Sequence, residues 1–445
     1  MTQLHLASPA PDIIRGKIRG ACPTLREPMA TGDGLLARLR PVGGAISPIQ
    51  FQAVATLAAR YGNGQIEITA RGNLQVRGLR AATVADFATA IEAIMAIETG
   101  LPIELSPLAS LDPEESTDAR PLAAAIRAAI AGSTAADRLN PKVTVVLDSG
   151  GAWHRRELAG DIRLTATAEG HKWRLAIGDR PLGLLYDRDV VSATLIVLSM
   201  IAAVNGRGRD IDPAAVRERL HGLLLSDTTP PGELRESSPL ITPLTDGRVA
   251  AAIWLPFGAV RTNGLDDLAT AALRCGITEF RLAPHHGLLA VCASADIAGQ
   301  FRDRAAALGL VTAPDDARRA ISACIGTDGC GSGQIASRQW AEAAARAEPA
   351  FFDGSFALHI SGCAKGCAHP ATALLTLVGS QDGATFALNG RASAPPALSL
   401  PAETIPVAIA NLATLWRDNR GLGESVASCF KRLGAARIVA VARQG

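Results

Sequence analysis

No charge of one sign dominates this sequence. Lys and Arg number 44 against 42 Asp and Glu, a net charge of +2. There is therefore no global field to draw in nucleic acid or an anionic membrane, and neither is an expected partner; an anionic ligand must be met by local basic residues. Long apolar runs are also missing. The longest, 193–204, falls short of the ~20 residues that cross a bilayer and reads as a buried helix. The opening MTQLHLASPAPD has no charged stretch leading into an apolar core, so no secretory signal is expected and the cytoplasm is the expected address. No GxGxxG unit opens a βαβ segment, which removes the usual dinucleotide cradle.

What is present is enough for several cores. A chain of 445 residues with 48% hydrophobic content can pack two to four domains. Its eight cysteines point to metal or redox use rather than to a disulfide framework. Cys22, Cys275, Cys292 and Cys429 stand alone and read as small buried hydrophobes. The other four form two pairs: Cys324 and Cys330 in ACIGTDGCGSGQ, and Cys363 and Cys367 in SGCAKGCAHP. Glycine surrounds both pairs, so backbone can pass close to a bulky group and aim N–H groups at it. Four thiolates complete a cubane of four irons. A zinc site is the competing reading, but structural zinc takes pairs two to four residues apart and the first spacing here is wider.

Two stretches look like copies of one another, 34–80 and 250–293. In the first, a strand pattern precedes the helical FQAVATLAARYGNG, and IEITARGNLQVRGL reads as strand, turn and strand. The second repeats the plan, with Ile66, Ile68 and Leu74 matching Phe280, Leu282 and Leu288 at an offset of 214. A duplication at half the chain length implies similar halves about a pseudo-two-fold axis, with sites between them. Longer mixed segments follow each copy and fit α+β layers. The Pro-rich stretch 228–244 is the expected linker between halves.

The spacing C-x5-C then C-x3-C, late in a duplicated chain, resembles the sirohaem-dependent nitrite and sulfite reductase superfamily. That resemblance implies an α+β fold of duplicated ferredoxin-like half-domains with two larger α+β domains. The expected bounds are 15–80 and 246–310 for the half-domains, and 85–235 and 311–445 for the larger domains, the last carrying a 4Fe-4S cluster on Cys324, Cys330, Cys363 and Cys367. Within the superfamily, GACPTLREPMATGDGLLARLRP, ELSPLASLDP and SGCAKGCAHP are similar to the precorrin-3B synthase family of aerobic cobalamin biosynthesis. Membership there implies an O2-dependent monooxygenase that hydroxylates a meso carbon of precorrin-3A and forms a lactone from a ring acetate. It also implies a non-haem iron and NADH as the ultimate reductant, with electrons arriving through a donor protein. The alternative is a true sulfite or nitrite reductase, which would bind sirohaem.

The substrate carries eight carboxylates, so convergent cations are needed. Arg71 falls where the reductases have the tetrapyrrole-contacting arginine of their T-R-Q turn, although Gly72 replaces the glutamine. Lys142 matches the first lysine of their K-x-K pair, and Thr144 replaces the second, which argues against sulfite. Lys365 lies between two cluster cysteines, where its amine would screen cluster charge or meet a carboxylate. Arg38 is a candidate for the macrocycle face, and His285 and His286 in the second repeat's turn are candidates for substrate or iron contact. His369 and His171 are weaker iron-ligand candidates. Each also has a plain reading as an exposed polar residue. No 2-His-1-carboxylate spacing places the non-haem iron, and no catalytic residue is named.

Overall fold

The computed structural model describes residues 22–227, 239–369 and 371–444. Each repeat builds four antiparallel strands of a sheet and takes its fifth strand from the other repeat. The first sheet runs Met29–Thr31, Gly34–Leu39, Leu74–Leu79, Gln65–Ile68 and finally Ala259–Arg261 from the second repeat. The matching sheet runs Ile241–Pro243, Val249–Trp254, Gly287–Cys292, Glu279–Ala283 and finally Ala45–Ile46 from the first. Ala259 pairs with Glu67, and Ile46 pairs with Phe280. The exchanged strands lie at the same offset of 214 as the strands they join. The exchange removes one open edge from each sheet. Of the expected linker, 228–238 lies outside the described residues, and Ile241–Pro243 is an edge strand rather than a connection.

Alternation along IEI and LQVRGL sends Ile66, Ile68, Leu74 and Val76 into the core and turns Glu67, Gln75 and Arg77 to the opposite face. Helix Pro48–Tyr61 starts at a reciprocal cap. The Gln50 N–H donates to Ser47 Oγ at 3.2 Å, and the Ser47 N–H donates to Gln50 Oε1 at 2.8 Å. The helix buries Phe51, Val54, Ala55 and Ala58 and packs on its counterpart Thr262–Arg274. Phe51 meets Phe280 of the other repeat edge-on, ring centroids 5.3 Å apart. Helix Val84–Ile94 adds Phe87, Ala88 and Ile91. All of these belong to one core drawn from both repeats, so neither half-domain is complete alone.

The two larger domains repeat each other as well. In the first, Ile103–Glu104, Val145–Asp148 and Ile162–Ala166 are parallel, and Lys172–Ile177 and Arg180–Tyr186 continue antiparallel. In the second, Ile321–Ala323, Leu358–Ser361 and Ala373–Ser380 are parallel, followed by antiparallel Gly383–Gly390 and Leu398–Pro401. Each sheet leads into a long helix, Val190–Ala203 or Ile405–Asn419. The first of these is the apolar run noted in the sequence, and it buries Val190, Val197, Leu198 and Ile201. No helix among the described residues is long and apolar enough to cross a membrane. In both domains the connections that leave the carboxyl ends of the first two parallel strands are long. Open sheets place their ligands at such ends.

Candidate cofactor and substrate site

The cysteine pairs sit on two of those connections. Cys324 follows Ile321–Ala323 directly, and Cys363 and Cys367 follow Leu358–Ser361. Three glycines hold the loops together. A side chain on Gly333 would run into the Gly326 carbonyl carbon, and one on Gly362 would meet the Gly326 Cα at 3.0 Å and the Gly333 Cα at 3.2 Å. This close approach lets the Gly362 N–H donate to Cys324 Sγ at 3.0 Å. The Cys367 thiol is pushed up by burial and then by its neighbours Cys363, Cys324 and Cys330, with Lys365 opposing.

Among the described residues no group of three or more His, Cys, Asp or Glu side chains converges to hold a single metal ion. Cys324, Cys330 and Cys363 all act electrostatically on Cys367, so the four thiols are neighbours. A mononuclear zinc site needs all four sulfurs on one ion, whereas a cubane gives each thiolate its own iron. With an N–H already aimed at one sulfur, the residues fit a 4Fe-4S cluster. They offer no 2-His-1-carboxylate set for a mononuclear iron.

The loop that carries Cys330 is docked on the first sheet. Gly32 lies so close that a side chain there would strike the Gly331 amide. Arg77 donates to both oxygens of Asp33 at 3.0 Å and to the Gly329 carbonyl at 2.8 Å, one residue before Cys330. Despite burial, Glu67 and Asp33 hold the Arg77 guanidinium above its usual value. Arg338, beyond the loop, pairs with Glu67.

A cavity of about 800 Å³ opens between the first sheet and the first large domain, and Arg38, Arg71 and Lys142 all line it. Three residues spread over more than a hundred positions of sequence thus face one space. Arg71 Nη2 donates to the Ala159 carbonyl at 2.9 Å, which fixes the side chain, while its Nη1 is buried with no partner. A buried unpaired donor at a cavity wall is a ready anion contact. Burial lowers the Arg38 pKa, and the neighbouring Arg40 and Arg71 charges act in the same direction. Thr144 is buried, its N–H donating to Asp161 Oδ2 at 2.9 Å and its hydroxyl to the Lys142 carbonyl at 3.2 Å. Asp161 also takes two bonds from Arg207, at 2.8 and 2.9 Å, and so sets that guanidinium at the cavity wall.

Arg26, Arg40, Arg127 and Arg207 complete the basic lining. Sequence reasoning did not single them out, and only the recurrence of Arg at 38 and 40 along one strand hints at them. Cys22 also lines this cavity, unlike Cys275, Cys292 and Cys429, which are buried as expected.

The other candidates lie elsewhere. Lys365 donates to Ser332 Oγ at 3.3 Å and lines a broad groove with Cys363. His285 and His286 are not in the arginine-lined cavity. The His285 N–H donates to the Ala70 carbonyl at 2.9 Å, and His286 Nδ1 lies 2.6 Å from the Ile68 carbonyl. Both therefore pin one repeat's turn against the other's. Gly72 belongs to this contact. Its φ is +78°, and a side chain there would press on the Ala283 carbonyl at 2.9 Å, which explains why no glutamine stands there. His369 packs near His359, ring centroids 5.6 Å apart, and His171 is held by the Glu169 carbonyl at 3.1 Å.

With this geometry in place, the fold is that of the nitrite and sulfite reductases. Residues 27–94 match the nitrite/sulfite reductase ferredoxin-like half domain. The structure of Mycobacterium tuberculosis NirA superposes with a TM-score of 0.73 at 16% identity, over 91% of this chain and 84% of that one. A ferredoxin–nitrite reductase of Synechococcus elongatus is 32% identical over 131 residues, 27% of this chain and 26% of its own. A precorrin-3B synthase from Sinorhizobium sp is 40% identical over 437 residues, 96% of this chain and 95% of its own. The chain belongs to the precorrin-3B synthase family.

Proposed function

We propose that this chain is an O2-dependent monooxygenase that converts precorrin-3A to precorrin-3B, hydroxylating a meso carbon and closing a lactone from a ring acetate. The observation that carries the reading is the cavity in which Arg38, Arg71 and Lys142 converge, in a chain with a full-length precorrin-3B synthase relative. Its volume and its cations suit a macrocycle fringed with carboxylates, since each charge-assisted contact is worth about 1.5–3 kcal/mol when shielded from water.

Monooxygenation takes up one O2, two electrons and two protons; one oxygen atom enters the macrocycle and the other leaves as water. A 4Fe-4S cluster on Cys324, Cys330, Cys363 and Cys367 supplies electrons one at a time when bound. NADH is the ultimate source, and a donor protein delivers them. The described residues do not fit a mononuclear iron site, and no step is assigned to one. What the chain itself does is bind and orient. Arg71 offers its unpaired Nη1, Lys142 supplies a point charge, and Asp161 aims Arg207. Thr144, buried and committed to Asp161 and to the Lys142 carbonyl, provides no second cation for a small oxyanion, which separates this site from a sulfite reductase's.

The test is an assay of the purified protein with precorrin-3A, dioxygen and an artificial reductant. The expected product is heavier by one oxygen, with no reduction of sulfite or nitrite. Sulfide or ammonia formed at enzymatic rates, with the macrocycle unchanged, would replace this reading with a reductase.

A further inference from the structure

The pseudo-two-fold relation is broken on one face. At the offset of 214, the counterparts of Arg38, Gln75 and Arg77 are Ala252, Leu289 and Val291. These pack apolar against Leu108, Trp153 and Trp254. On the first sheet the same three positions are polar, and Glu67 beside them, whose counterpart is the charged Arg281, joins them; Glu67, Gln75 and Arg77 are at most 8% exposed. The residues form a continuous row. Arg38 and Gln75 are cross-strand partners, as are Gln75 and Glu67. With its amide turned to satisfy both neighbours, Gln75 accepts from Arg38 Nη2 and Nε at 3.0 and 3.1 Å and donates to Glu67 at 3.2 Å. Glu67 pairs with Arg77 at 3.6 Å, and Arg77 holds the Gly329 carbonyl beside Cys330. One end of the row faces the cavity; the other holds the cluster loop.

Burying so many charges is costly compared with the apolar packing of the other sheet. We propose that the row Arg38–Gln75–Glu67–Arg77 couples carboxylate binding in the cavity to the electron affinity of the cluster, with Arg77 as the positioning residue for the Cys330 loop. The proposal rests on the functional reading above. Together with Asp33 and Arg338, the row has one more positive than negative charge. A ligand carboxylate on Arg38 cancels that excess, and polarisation along the bonded row carries the change to the loop. Less positive charge beside the cluster makes it harder to reduce. By reciprocity, an anionic tetrapyrrole then binds the oxidised protein more tightly than the reduced protein.

The experiment uses cluster-loaded full-length protein with uroporphyrin, an octacarboxylate tetrapyrrole, as probe. Its affinity is measured with the cluster oxidised and after reduction by dithionite, and the cluster potential is titrated by electron paramagnetic resonance with and without probe. We expect roughly tenfold tighter binding to the oxidised protein, equivalent to about 59 mV for a one-electron couple. In Gln75→Leu, which installs the residue the matching sheet already carries, probe binding and cluster content persist but the ratio falls to about one. Glu67→Gln, nearly isosteric, loses the ratio as well and raises the potential of the unliganded cluster. Equal affinity in both redox states of the parent, or an undiminished ratio in both variants, would overturn the coupling while leaving the functional reading intact. A parent that assembles no cluster, or does not bind the probe, would overturn both.

Discussion

His286 Nδ1 lies 2.6 Å from the carbonyl oxygen of Ile68, so the turn of one repeat is clasped to a strand of the other. Only a protonated Nδ1 donates to a carbonyl, which fixes the tautomer. Replacing His286 with Ala leaves that carbonyl without its partner at the join of the two sheets. The expected loss is about 1–3 kcal/mol, read as a lower denaturation midpoint with an unchanged slope against denaturant. An unchanged midpoint would show the clasp to be idle.

His359 supplies a pH dependence. It is fully buried, both ring nitrogens lack partners, and burial followed by the charge of nearby His369 lowers its pKa to about 4. The folded state therefore resists a proton that the unfolded chain accepts at about 6.5. Stability from this group is complete above pH 6.5 and is lost as pH falls toward 4. Across that window His359→Leu should show a shallower decline, by up to about 1.4 kcal/mol per pH unit. Equal slopes for parent and variant would contradict the assignment.

In the proposed cluster, Cys330→Ser and Cys363→Ser would each remove a soft thiolate from a cubane corner. Most iron and acid-labile sulfide should disappear, and the variants should unfold earlier because the cluster ties two separate loops. Full retention of the brown chromophore by both would remove the cluster from the account.

Arg71→Ala and Lys142→Ala should each weaken tetrapyrrole binding by about 1.5–3 kcal/mol and leave the cluster spectrum unchanged. Isothermal titration beside visible absorption separates the two effects. Parent-like affinity in both variants would take the substrate out of this cavity.

Phe51 packs on Phe280 in the core that both repeats share. Phe51→Ala should cost about 3–5 kcal/mol and lower the stability of both repeats in one cooperative transition. Two separated transitions would mean that the repeats hold independent cores.

The duplication was legible because strand alternation and the offset of 214 survive in residues that must stay apolar. The exchange of Ala45–Ile46 and Ala259–Arg261 was not, since such short edge strands carry no periodicity of their own. Cys324, Cys330, Cys363 and Cys367 were candidates from their spacing, Arg71 and Lys142 from resemblance and Arg38 from its strand position, and the fold brings the last three to one cavity. The clasp that His285 makes through its backbone N–H and His286 through its ring was not legible, because exposed turns and clasped turns have the same sequence and the partner strand comes from the other repeat. The polar row failed to stand out for a related reason. Glu67, Gln75 and Arg77 alternate with core residues as any solvent-facing strand would, yet they are buried in the fold, where Arg77 meets the Gly329 carbonyl and Glu67 meets Arg338.

Oxygenation of a tetrapyrrole held in this cavity can be read directly from the product. Mass spectrometry of the product formed under heavy-isotope dioxygen tests it most directly. One labelled oxygen atom is expected in the macrocycle, and none when the label is in water alone. An unlabelled macrocycle after turnover under labelled dioxygen would contradict it.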